Sequence, residues 1–448
     1  MARIVADLAP LRRHRHFRRL WTGMLVSSMG GQLTVVAVSY QAYRMTHSTF
    51  TVGAISLAQL LPLVIGALGG GPLVDATDRR RVLVASQLFL AAASAGLVVN
   101  AVLSRPQLWV LFAATSASAL FQGVANPARR AAVTMVVPAA DLTGAVALQT
   151  MLIQWAFVIG PSLAGLLIGV AGLDTVYAID VGTYFVAVAY TLALPPLPPA
   201  GGGTPANLRS VVEGLRYLRG QRVLASTFWI DIDAMVFGMP RAVFPAIGTG
   251  LYHGGAGVVG LLYAAVGAGG LVGSVLSGWV AQVRRQGRAV VVSVCVWGAA
   301  IAAFGVVRVV WAGLALLALA GAADLVSAVF RQAILQSTTP DHLQGRLSGV
   351  FFAVVAGGPR LGDAETGGAA AIGGPQFAVW SGGLACLAGV GLLLWRVPEL
   401  WRAEVALDDD VLRGGDGPGG AQAVSLYGEQ QAVSPDSPDS PEPRSAAP

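Results

Sequence analysis

Asp231, Asp233, Asp324, Asp363 and Glu365 stand inside long apolar runs. An ionisable side chain at membrane depth is costly, so it is kept where it works or where it pairs. The chemistry open to such a carboxyl is proton exchange, because apolar surroundings penalise its charged form. Asp324 is the first candidate. It lies about 14 residues into its apolar run, near mid-membrane at a rise of ~1.5 Å per residue. A structural pair with a neighbouring polar group is the competing reading. Asp231 ranks second. Asp233 is two residues on, so its side chain points about 200° away and both cannot face one cavity. Arg360 and Asp363 are i,i+3 neighbours able to pair on one helix face, with Glu365 pointing elsewhere; a gate and plain exposure to water are both open for these three. Asp180 is read as structural and Arg241 as an interface anchor. Gln32, Gln122, Met235 and Arg331 are candidates to line a substrate cavity, although Met at such positions usually packs.

Other chemistries are absent from the pattern. The chain has no Lys, and a phosphate-gripping P-loop requires one. None of the five His sits in a His-Glu-x-x-His pattern, and the two Cys lie far apart. No metal site, cofactor or catalytic group is expected, and the chain is not read as an enzyme. The isoelectric point near 9.7 does not indicate nucleic acid, because the Arg residues flank apolar segments, as in membrane proteins.

The elements that position these residues follow from composition. Hydrophobic residues make up 55% and charged residues 12% of the 448, against about 25% charged in soluble domains. A membrane-spanning helix needs ~20 mainly apolar residues. Twelve segments qualify: 20–43, 51–74, 82–104, 108–128, 142–170, 173–194, 223–247, 255–283, 289–307, 310–330, 347–372 and 376–395. The eleventh, with Arg360, Asp363, Glu365 and many Gly, is the least apolar. The expected fold is therefore an all-α membrane protein of twelve transmembrane helices. It divides into a basic N-terminus (1–19), a six-helix bundle (20–194), a linker (195–222), a second bundle (223–396) and a tail (397–448).

With the N-terminus inside, 24 of the 29 Arg fall on the cytoplasmic side, as the positive-inside bias requires. Both termini are then cytoplasmic. Residues 207–219 read as a basic amphipathic helix on the inner membrane surface. The Pro-, Ser- and acid-rich tail cannot bury a core and is expected to be disordered.

The chain also repeats. Trp109, Gln122, Arg129 and Pro138 recur as Trp311, Asp324, Arg331 and Pro340 at one offset of 202. The run from Gly160 to Gly165 (GPSLAG) recurs as GPRLGD from Gly358 to Asp363, with Pro161 matched by Pro359. Two six-helix pseudo-repeats are the architecture of a rocker-switch transporter that holds substrate between its halves. Gly160 and Pro161 admit close helix packing; this is either simple packing or a diluted export motif, with Ala147 and Ala156 where longer Gly patterns would continue.

The loop from Gly70 to Arg81 reads GGPLVDATDRRR. Gly71 lets backbones approach. Asp75, at a helix end, can face a cation, with Arg129 or Arg130 as partner. Such a latch would bias a two-state element; Arg79 and Arg80 belong to it or only fix topology. Gln282 stands where the second half would carry its Asp. This loop resembles the Gly-x-x-x-Asp…Arg-Arg loop of the major facilitator superfamily, with Ala76 where that family usually has a basic residue. FGMPRAVFP (237–245), GGPRLGD (357–363) and RQAILQSTTPDHLQGRLSGV (331–350) resemble its enterobactin-exporter-like branch, common in actinobacteria. The resemblance covers residues 15–400. It implies a secondary transporter in a plasma membrane, usually monomeric, with the loop holding the cytoplasmic side closed. The expected function is proton-coupled efflux of an amphipathic small molecule such as a siderophore or drug. Import on the same fold and a non-transporting scaffold are the alternatives.

Overall fold

A computed structural model describes residues 8–199, 213, 216–276 and 283–403. Most of the expected linker helix, Gln282 and the tail beyond residue 403 lie outside the described residues. Twelve long helices are present among the described ones: α1 Arg15–Thr46, α2 Thr49–Ala76, α3 Arg79–Val102, α4 Leu108–Val136, α5 and α6 within Ala139–Leu192, α7 Arg222–Leu251, α8 Gly255–Leu276, α9 Gln286–Val306, α10 Val310–Thr338, α11 Asp341–Gly373 and α12 Pro375–Arg396. Nine stretches among the described residues are long and apolar enough to cross a membrane. One of these, Ala139–Leu192, holds two helices, and α1 and α11 complete the twelve, α1 diluted by uncharged Ser, Thr, Gly and Gln and α11 by Arg360, Asp363 and Glu365.

Local chemistry sets the boundaries. His47, at φ 51°, ends α1 in the left-handed region, and Ser48 caps α2 by accepting from the Thr51 amide. Gly172 turns α5 into α6, and Gly374 turns α11 into α12, each at φ 87°. A side chain is strained at that φ, and the two glycines are themselves 202 residues apart. Asp78 caps α3 through the Arg80 amide. Helix α7 is not continuous: Met239 is extended and Pro240–Val243 form a tight 3₁₀ turn before the chain resumes. Proline removes the amide that would continue the α-helix.

Small residues set the helix spacing within and between halves. In the first half, a Cβ on Gly66 would stand 2.0 Å from the Leu120 carbonyl oxygen, and one on Gly70 2.8 Å from Val124 Cα. These two, with Gly123, make the close α2–α4 approach expected of Gly71. Gly269 and Gly321 do the same for α8 and α10. The halves meet backbone to backbone at their Arg-poor end: Gly165 of α5 against Gly260 of α8, and Gly53 of α2 against Gly367 of α11. Around the outside, large apolar side chains are uncovered. Trp109 and Trp311, repeat mates that open α4 and α10, are 68% and 75% exposed, as residues of an interfacial aromatic belt would be.

Candidate functional site

Two adjoining cavities lie inside the molecule, the larger between the halves and the smaller walled by the first half. The larger, about 330 Å³, is lined from both halves, among others by Gln32, Ser56, Gln122, Arg241, Arg360 and Asp363. The smaller, about 150 Å³, lies against Ser28, Gln32, Gln122, Arg129, Phe157 and Tyr184. Gln32 and Gln122 line both.

At the Arg-poor side of the larger cavity, Asp363 of α11 is 5% exposed. Arg241 donates to both its oxygens, from Nε at 3.3 Å and Nη2 at 2.9 Å. Ser56 of α2 adds a third donor at 2.5 Å, which crosses between the halves. Tyr263 of α8 donates to the Arg241 carbonyl at 3.1 Å. The charge on Asp363 is thus met by a two-pronged guanidinium, the strong form of this contact. This corrects two expectations. Asp363 pairs with Arg241, not with Arg360, whose Nη1 donates to the Ala356 carbonyl. Arg241 is no interface anchor: the break at Pro240 turns it inward. Pro359 lines the same cavity.

Asp180 of α6 also lines the larger cavity. It accepts from Thr34 at 2.7 Å, Ser94 at 2.5 Å and Thr183 at 3.4 Å. Gly30 makes room for it, since a Cβ there would stand 2.4 Å from its carboxylate. Its burial was not legible in the sequence, because two of the three hydroxyls that satisfy it come from α1 and α3.

A second charged cluster joins α7 to α10. Asp231 pairs with Arg331, both buried, and Asp324 stands 3.8 Å from the other end of the same guanidinium. The Asp324 side chain is 40% exposed. None of the three lines either cavity. For Arg331 this is a correction: it is a buried ion-pair partner and not a cavity wall. Asp233 faces the other way, against Gly389 of α12. Met235 also departs from expectation, for it packs under Gly358 and Gly362. Glu365 accepts from its neighbour Thr366.

The glycine at the first-half repeat position has an equivalent role. A Cβ on Gly160 would stand 2.5 Å from Gln32 Cβ, where α1 crosses α5, while the Pro161 carbonyl faces Gly260 of α8. Gln32 is a cavity residue, so Gly160 sets the cavity wall.

The Arg-rich loop holds to its own half. Asp78 accepts from the Arg80 and Leu197 amides, Arg79 donates to the Pro198 carbonyl, and Arg80 donates to the Leu192 carbonyl. Cations at a helix C-terminus satisfy carbonyls left without partners. Asp75 is exposed and makes no hydrogen bond or ion pair among the described residues. No contact joins it to Arg129 in this conformation; Arg129 faces the smaller cavity instead.

With this geometry in place, the comparisons decide the family. A family model described as transmembrane secretion effector, MFS_3, matches residues 5–409. The chain belongs to that family. It is 29% identical over 388 residues to the enterobactin exporter EntS of Citrobacter koseri, covering 87% of this chain and 93% of that one. It is 28% identical over 396 residues to the protein of the same name from Shigella boydii, at 88% and 95% coverage. Among solved structures, a POT family transporter in complex with 5-aminolevulinic acid matches at a TM-score of 0.70 and 11% identity, covering 86% of this chain and 97% of that one. The nucleoside transporter NupG matches at 0.67 and 12%, covering 86% and 100%. These structures establish the fold. This member of the secretion effector family is a multi-pass transporter of the major facilitator type and not an enzyme.

Proposed function

We propose that the protein exports an amphipathic small molecule in exchange for protons, by alternating access, across the plasma membrane and with both termini cytoplasmic. The observation that carries the coupling is Asp324. It is the partly exposed member of the Asp231–Arg331–Asp324 cluster, and it sits on a helix that the repeat equates with cavity-lining α4. Arg331 already has Asp231 as a buried counter-ion, so Asp324 is free to gain and lose a proton without stranding the guanidinium. The adjoining cavities supply a place for cargo, and the exporter-named relatives favour efflux. In the opposite conformation Asp75 closes on the Arg-rich end of α4. The protein acts as a monomer in the bilayer.

The test uses everted vesicles holding an inside-acid gradient. Enterobactin, hydroxamate siderophores and macrolides are added singly, and a pH-sensitive dye is followed. The expected result is that one compound dissipates the gradient with wild type and not with Asp324→Asn. Equal dissipation by both proteins refutes Asp324 as the coupling group. Dissipation only with an opposite orientation of substrate and gradient makes the protein an importer.

A further inference from the structure

We infer that Arg129 forms a binding site for an organic anion, and that the cargo presents a carboxylate or ionised phenol there. This rests on the transporter reading and narrows its substrate class. Arg129 faces the smaller cavity from α4. Its Nε is shut off from solvent with no hydrogen-bond partner, as is that of Arg331, but unlike Arg331 it forms no ion pair among the described residues. A buried polar group is normally satisfied, so this guanidinium has an unmet demand for an acceptor.

The repeat shows what is missing. The second-half mate of Arg129 is Arg331, which holds Asp231 and faces Asp324. Position 122 carries Gln where position 324 carries Asp. The glycine contacts align the other helix pair: Gly160 meets Gln32 and Gly358 meets Met235. That equivalence places Ser28 opposite Asp231. Both carboxylates that neutralise the arginine in one half are therefore neutral residues in the other. Ser28 and Gln122 line the same cavity as Arg129.

The remaining walls describe the ligand. A guanidinium fork suits a planar anion with two acceptor oxygens. Phe157 and Tyr184 give an aromatic wall beside it. Both residues also line the larger cavity, so the body of the molecule has room beyond the anionic head. The acids of that larger cavity do not compete for Arg129: Asp363 is held by Arg241, and Asp180 by three hydroxyls.

The experiment is equilibrium dialysis on the full-length protein in detergent, with radiolabelled 2-naphthoate and its uncharged analogue 2-naphthamide as probes. Wild type is expected to bind the carboxylate at least tenfold more tightly than the amide, or about 1.4 kcal/mol. Arg129→Gln should erase that preference, and Arg129→Lys should keep part of it. Arg105→Gln, in an exposed loop, should match wild type. Should Arg129→Gln fail to fold, the Lys variant and the wild-type preference still decide. No naphthoate binding, no preference in wild type, or a preference surviving in Arg129→Gln overturns the inference. So does Arg129-dependent binding of dioctanoyl phosphatidylglycerol without naphthoate binding, which would make the site a lipid headgroup site. Binding needs no proton gradient, so failure of proton coupling in vesicles leaves this result standing.

Discussion

Replacing Arg241 by Gln should destabilise the protein more than replacing its partner Asp363 by Asn. Asp363 is 5% exposed and receives two hydrogen bonds from Arg241 and one from Ser56. Without Arg241 the carboxylate keeps only the serine. Breaking a buried pair from one side costs about 3–5 kcal/mol. The lower end, ~3 kcal/mol, applies here, because the Arg241 side chain is 28% exposed and water can enter the space it leaves. Asp363→Asn strands a cation that can still reach water, and should cost ~1–2 kcal/mol. The double variant leaves no charge stranded and should also cost ~1–2 kcal/mol, giving a coupling of about 2–4 kcal/mol, at the upper end of what contacting residues show. SDS titration in mixed micelles, followed by fluorescence of the ten Trp, reads these differences. Arg360 is one turn from Asp363 and could swing in as a substitute, so the cycle is repeated in an Arg360→Gln background. An Arg241→Gln cost below ~0.5 kcal/mol in that background, or strict additivity of the double variant, refutes the reasoning.

Three further outcomes follow from other contacts. Asp231→Asn should cost about 3–5 kcal/mol in the same titration, because buried Arg331 would keep only the looser Asp324 at 3.8 Å. Gly160→Leu should drive α1 from α5 at Gln32 and lower the monodisperse fraction on size exclusion, with overpacking of ~1–3 kcal/mol; Gly96→Ala, with nothing within 4 Å, should not. Asp78→Ala should cost ~1–2 kcal/mol of unfolding free energy through loss of a cap, while Asp75→Ala, exposed and without a contact among the described residues, should leave it unchanged.

The helices were legible because a membrane span must be long and apolar whatever surrounds it. Helix α11 breaks that rule, and the repeat rather than its apolarity revealed it. Depth along a helix was legible too, but facing was not. Arg241 was misplaced because a helical count through α7 ignores the 3₁₀ turn at Pro240–Val243. The Pro-Arg-Ala-Val-Phe-Pro spacing carried that warning, since proline at both ends of so short a stretch interrupts the amide ladder. The pairing of Arg331 with Asp231 spans α7 and α10 and has no local signature. The same holds for Asp180, whose donors come from α1, α3 and its own helix. Gln122, by contrast, was singled out by the repeat and by helix depth, and Gln32 as a polar residue on the first helix; both side chains line the cavities.

The frame of the molecule is symmetric and its charges are not. Gly172 and Gly374 turn equivalent corners, and Gly160 and Gly358 seat equivalent crossings. Arg129 and Arg331 also correspond, yet only the second has counter-ions among the described residues. If that difference exists to leave Arg129 for a ligand, supplying the absent carboxylate should close the site. Ser28→Asp restores the acid at the position equivalent to Asp231. A charge-assisted bond to Arg129 should then raise the unfolding free energy by about 1.5–3 kcal/mol and abolish the preference for naphthoate over naphthamide. A substitution at a merely structural position would move both readouts down together. Stability gained while anion binding is lost separates an unfilled site from a packing defect, and Ser28→Asp binding naphthoate as wild type does would show that Arg129 is not where the anion sits.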